Sequence, residues 1–175
     1  EEVLLSLGSE MLLLGGLEES PEIARQRLNK VLESGLAAER FSRMVSMQGG
    51  PGDLLEQPGK YLLRAPVVRA LAAPDDGWIE FMDTRAIGMC VVGLGGGRRH
   101  AEDKIDHRVG LSGFKVVGEP VSKGDPLVVI HAADEAAWQH VAEKLLGAIV
   151  VGRKMDALPA VYEQLNQTSY KHTKK

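Results

Sequence analysis

A chain of 175 residues that is 44% hydrophobic and 26% charged can bury one respectable core or two small ones. Its net charge of -3 and pI near 6.0 supply no basic field for a polyanion, so nucleic acid is not expected as a partner. A single cysteine excludes an intrachain disulfide and any CxxC or zinc set, and no apolar run nears the ~20 residues of a membrane span, so we read a cytoplasmic protein without a membrane partner.

The first element is a helix over Val3 to Leu14. Val3, Leu4, Leu7, Met11 and Leu14 recur at helical spacing, while Leu5, Leu12 and Leu13 make the other faces apolar as well. Such a helix calls for cover on most sides. The segment is too short, and too acidic at its front, for a signal peptide. Gly15-Gly16 ends it. Ser20 is an N-cap and Pro21 a first-turn proline for a second helix, with Ala24, Leu28, Val31 and Leu32 on one face, stopping near Gly35. A third helix comes next with Ala37, Phe41, Met44, Val45 and Gln48 on one side, and Gly49-Gly50-Pro51-Gly52 breaks it. Three helices make a thin domain, so we expect them to belong to a larger helical body or to a subunit contact.

From Asp53 to Pro74 the prolines at 58, 66 and 74 fit a connecting segment with brief strands at Tyr61–Leu63 and Val67–Leu71. Next comes a strand over Trp78–Met82. Asp83 then caps a helix whose stripe is Ile87, Cys90, Val91 and Leu94, closed by Gly95-Gly96-Gly97. After a polar stretch from Arg98 to His107 we expect apolar pieces at Arg108–Leu111 and Phe114–Val117, a turn at Ser122–Asp125 and a strand at Leu127–His131. Asp134 caps the last helix. Its buried stripe is Trp138, Val141, Ala142 and Leu145, Gly147 ends it, and Ala148–Val151 and Val161–Leu165 read as strands. The polar, lysine-rich stretch 166–175 reads as a disordered tail.

Several runs in this order resemble a known family. They are Met82-Asp-Thr-Arg-Ala-Ile-Gly-Met89, Gly93-Leu-Gly-Gly-Gly-Arg-Arg99, and Val116 through Gly-Glu-Pro-Val-Ser-Lys-Gly-Asp-Pro to His131. They resemble the C-terminal domain of bacterial thymidine phosphorylases and related pyrimidine nucleoside phosphorylases, and Val31 to Gln48 resembles the last helices of that family's helical domain. The resemblance implies an α+β fold. Residues 1–50 would be helices of the helical domain, 51–74 a linker, and 75–165 an α/β hammerhead of the barrel-sandwich-hybrid type. It also implies a homodimeric pentosyltransferase that splits thymidine with inorganic phosphate into thymine and 2-deoxyribose 1-phosphate, with no cofactor beyond that co-substrate. The family's phosphate cradle, Lys-x-Ser-Thr-Gly-Gly-Val-Gly-Asp, and its base-binding Arg, Ser and Lys lie upstream of the matched region. No Ser-Thr-Gly-Gly occurs in this sequence, so no catalytic residue is carried over and the chain alone is expected to be inactive.

Within the chain, Arg98, Arg99 and His100 come directly after the glycine triplet and offer an anion three basic groups. A phosphate loop precedes a helix and uses its free N–H groups, whereas this one comes after a helix, so a glycine C-cap with solvated arginines is the plain reading. In the family the corresponding loop lies beside the cleft, which implies a role for Arg98, Arg99 and His100 in closing it over substrate. His131 ends a strand without a partnered nucleophile and reads as scaffold. Cys90 reads as a small hydrophobe with no cation near it, and Asp75-Asp76 and Glu102-Asp103 as solvated turns without calcium-loop spacing. Val117 to Ile130 also resembles a turn and strand of biotinyl or lipoyl carrier domains. A carrier displays its lysine at a hairpin tip, whereas Lys123 lies in the preceding turn and outside any Met-Lys or Asp-Lys pair. That likeness is one of fold, and fold does not transfer function.

Overall fold

The computed structural model describes residues 1–164, so the expected tail and Leu165 lie outside the described residues. The chain divides into two compact units: Glu1–Gln57 with the described residues from Pro159 onward, and Pro58–Leu158. Each folds around its own contacts.

The first unit is helical: α1 (Glu2–Leu14), α2 (Pro21–Glu33) and α3 (Leu36–Met47). Ser20 caps α2 as its sequence position requires, its hydroxyl accepting from the Ile23 amide at 3.3 Å, with Pro21 in the first turn. Arg25 of α2 pairs with Glu2 of α1. Only Leu5, Ser9 and Ala24 are buried in these helices, so the apolar surround of α1 is largely open: Leu7 is 62% exposed and Met11 72%. The segment 161–164, expected as part of a strand, carries no regular structure; among the described residues no strand pairs with it, and Val161 and Tyr162 are exposed.

The second unit mixes helices with two small antiparallel sheets. It begins with the single turn α4 (Pro58–Tyr61), so the strand expected at Tyr61–Leu63 is instead a helix end and a coil. Pro58 favours a helical first turn, and Leu62 and Leu63 stay exposed for want of a pairing strand. One sheet has the order β1 (Val67–Ala72), β5 (Pro126–Ala132), β3 (Gly110–Ser112). The strand expected at Val67–Leu71 is thus paired with β5 along its length, Val67 opposite Ala132 and Leu71 opposite Val128. The other sheet has the order β4 (Pro120–Val121), β2 (Gly77–Met82), β6 (Ile149–Gly152).

Two helices join these sheets: α5 (Thr84–Leu94) and α6 (Glu135–Ala148). Asp83 and Asp134 are their N-caps, accepting from the Ala86 and Ala137 amides at 2.9 and 2.8 Å. The stripes read from the sequence face inward, with Cys90, Leu94, Val141 and Leu145 buried against Ile79, Val128 and Ile130. Arg69 on β1 stacks over the Trp138 ring at 3.7 Å and pairs with Glu135 at 2.6 Å, fastening α6 to the first sheet.

Two further local features of the second unit bear on the readings at Gly147 and at the apolar piece Phe114–Val117. Helix α6 runs through Gly147 to Ala148, whose carbonyl accepts from the Asp83 amide at 2.8 Å, so the helix end is satisfied by tertiary contact rather than by glycine. Phe114–Val117 is coil: Gly113 and Gly118 bracket it with left-handed backbone (φ 64° and 90°), which breaks strand geometry while Phe114 and Val117 still pack on the core.

Candidate functional site

The residues singled out by sequence, Arg98, Arg99 and His100, lie just beyond α5. That helix closes as its glycines require. Gly95 adopts φ 94°, and the Gly95 and Gly96 amides return to the Val92 and Val91 carbonyls at 3.1 and 3.0 Å. A Cβ on Gly96 or Gly97 would stand 3.0 Å from a Val91 methyl or 2.9 Å from a Val92 methyl, so the chain leaves the helix pressed against it.

All three basic side chains are exposed at the tip. The Arg99 and His100 amides donate to Asp103 Oδ2 at 2.9 and 3.0 Å. Those bonds hold the Asp103 carboxyl below the ordinary aspartate range, the His100 amide contributing most. At the base of the loop the Asp106 amide donates to the Gly95 carbonyl at 2.9 Å. The Asp106 carboxylate grips Arg108, accepting from Nε at 2.9 Å and from Nη2 at 2.7 Å. Beside this base, Tyr61, Leu62, Leu63, Ile105 and His107 help line a shallow cleft of about 370 Å³.

The Arg108 side chain, and after it the Arg108 amide, draws the Asp106 pKa from 3.8 down to about 2. A depressed carboxylate stabilises the fold above its unfolded value, and that contribution is lost as the pH falls through the folded one. The loop base should therefore hold its form through pH 4 and release Arg108 only as the pH approaches about 2. Carboxyl NMR titration checks this; an Asp106 midpoint at or above 3.8 would contradict the clamp.

Other candidates resolve into structure. The His131 ring does have a hydroxyl partner, which corrects the sequence reading: Ser112 Oγ lies 2.8 Å from Nε2. Register explains it, since Gly110 faces His131 and Ser112 faces Val129, placing the two side chains diagonally on one sheet face. Nineteen residues separate them, so no short motif could have announced the pair. Among the described residues no carboxylate bonds the other ring nitrogen, and without that orienting group the pair is a cross-strand brace.

Cys90 is 2% exposed, and burial pushes its thiol up. Lys144 opposes that shift, so a cation does lie near, contrary to the sequence reading; burial outweighs it and the thiol stays protonated. Asp76 accepts from the Lys123 amide at 2.7 Å, so Asp76 and Asp103 are both turn braces. Among the described residues no group of three His, Cys, Asp or Glu could hold a metal ion, and no helix is long and apolar enough to cross a membrane.

From Trp78 in β2 to the end of β6, a span that includes the braced loop, residues 78–152 match the pyrimidine nucleoside phosphorylase C-terminal domain. Over that span the chain is similar to that family's C-terminal domain. It is 44% identical over 164 residues to the "Thymidine phosphorylase" of Burkholderia orbicola (strain MC0-3), and 43% identical over 165 residues to that of Burkholderia cenocepacia (strain HI2424). Each match takes in 94% of this chain but only 37% and 38% of the relative, in its C-terminal portion. The chain thus spans under two-fifths of the length of these relatives. Arg98, Arg99, His100 and Asp103, which takes the Arg99 and His100 amides, all lie inside the domain match.

Proposed function

We propose that this chain is the C-terminal part of a thymidine phosphorylase, a pentosyltransferase of nucleoside salvage, and that its second unit is the α/β hammerhead of that enzyme. The observation that carries the reading is the similarity to thymidine phosphorylases across 94% of the chain. In the reaction a phosphate oxygen attacks C1′ of the deoxyribose, the bond from C1′ to the thymine nitrogen breaks, and the base departs with the bonding electrons. Such a transfer needs a cradle of amides and cations for phosphate and donors for the departing base. The loop after α5 has its Arg99 and His100 amides occupied by Asp103, so its contribution is cationic side chains rather than a cradle. Arg98, Arg99 and His100 serve to close the cleft over the anionic substrate, in a cytoplasmic homodimer whose chemical groups come from sequence corresponding to the rest of the relatives.

Purified chain supplied with thymidine and phosphate should release no thymine. A chimera joining the preceding part of the Burkholderia orbicola enzyme to this chain should turn over. In that chimera, alanine at Arg98 and Arg99 together should raise the Michaelis constant for phosphate about tenfold, the scale of losing one or two exposed charge contacts. Phosphate-dependent turnover by the chain alone would overturn the reading, and so would unchanged constants in the double variant for the closure role.

A further inference from the structure

The cationic tip is held by Asp103, a carboxylate that sequence order alone leaves in solvent, and the role of that carboxylate rests on the closure role of Arg98, Arg99 and His100. Asp103 Oδ2 takes two consecutive amides, Arg99 at 2.9 Å and His100 at 3.0 Å, while its own amide donates to the His100 carbonyl at 3.2 Å. Three bonds therefore fix the backbone from which the Arg99 and His100 side chains spring. The other end of the loop is fixed independently, by the Asp106 amide on the Gly95 carbonyl and by the Asp106 clamp on Arg108. A side chain at Gly96 or Gly97 would crowd a methyl of Val91 or Val92, so the chain runs close along the helix at its exit. Between these anchors Asp103 is the side chain that holds the tip backbone.

Electrostatics point the same way. Asp103 directs its hydrogen bonds to backbone N–H groups, the Arg99 charge adding only the last and smallest pull on its carboxyl, and Asp106 grips Arg108, so Arg98 and Arg99 stay exposed at the tip. An exposed arginine carries large rotamer freedom, and fixing the backbone beneath it lowers the ordering cost when an anion binds.

We propose that Asp103 is a positioning residue: by tying down the Arg99 and His100 amides it presents the cations of the tip to the phosphate-bearing cleft in a preorganised array. It touches no substrate itself.

Two measurements test this. In the full chain, Asp103→Ala should speed hydrogen exchange at the Arg99 and His100 amides by about fivefold, the scale of one net hydrogen bond, while Asp103→Asn, which keeps an acceptor, should retain most of the protection. In the active chimera, Asp103→Ala should raise KM for phosphate about threefold to tenfold with kcat within about twofold, Asp103→Asn should restore it, and adding Asp103→Ala to the Arg98/Arg99 double alanine should raise it little further. Unchanged amide exchange in Asp103→Ala overturns the bracing. Unchanged KM in Asp103→Ala, where the arginine variant does raise it, overturns positioning and leaves closure standing. If neither variant moves KM, both fall together.

Discussion

Leu145→Ala should cost the second unit about 3 kcal/mol, within the range of about 2–5 kcal/mol for buried leucine truncations. Leu145 is 0% exposed, on the α6 face that meets both sheets and α5, so deletion leaves a cavity walled by elements that cannot all move in together. A unit of this size is stable by only about 5–15 kcal/mol, and each kcal/mol moves the melting temperature of such a domain by about 4–8 °C, so a fall of roughly 12–24 °C is expected. The neighbouring Leu146 is 43% exposed on the same helix, and Leu146→Ala should cost under about 1 kcal/mol. Both tryptophans, Trp78 and Trp138, belong to this unit, so tryptophan fluorescence during heating reports it without interference from the helical unit. Equal effects at 145 and 146 would show that α6 is not seated by the stripe of Val141, Ala142 and Leu145.

That stripe is legible because a helix writes its burial into the chain at a spacing of three and four, and because Asp83, Asp134 and Ser20 are local signals that need no partner. Strands give less. Val67–Ala72 and Phe114–Val117 look alike as short apolar runs, yet the first pairs with β5 along its length, while the second, bracketed by left-handed glycines at 113 and 118, forms no strand and reaches β5 through the Lys115 amide on the Leu127 carbonyl at 2.8 Å. The site divides in the same manner. The exposure of Arg98, Arg99 and His100 after a glycine cap can be read from order alone, whereas the same reading makes Asp103 a solvated turn. Asp103 bonds back to amides three and four residues before it, whereas the familiar Asx turn bonds forward, so His100-Ala-Glu-Asp103 does not announce the brace. The Ser112 and His131 pairing is out of reach, because it depends on strand register, which no local signal fixes.

Gly118→Ala should destabilise the second unit by about 2–4 kcal/mol, from two sources that can be separated. Gly118 sits at φ 90°, a conformation that costs an L-residue roughly 1–2 kcal/mol. Beyond that, a Cβ there would lie 2.8 Å from both N and Cα of Ala157, and backbone cannot swing aside as a flexible side chain can. Nor can the loop retreat freely, since the Gly118 amide donates to the Ile79 carbonyl at 2.9 Å and Ile79 is 0% exposed in the core. Gly124 supplies the comparison: its φ is 93°, but nothing lies within 4 Å of its would-be Cβ. Gly124→Ala should therefore show the backbone contribution alone, about 1–2 kcal/mol, and the excess at 118 measures the clash with Ala157. Urea unfolding monitored by tryptophan fluorescence would read both variants on the same unit. An excess near zero would mean that the segment around Ala157 yields without cost, so that the turn at Gly118 is fixed by its dihedral angles and by its bond to Ile79.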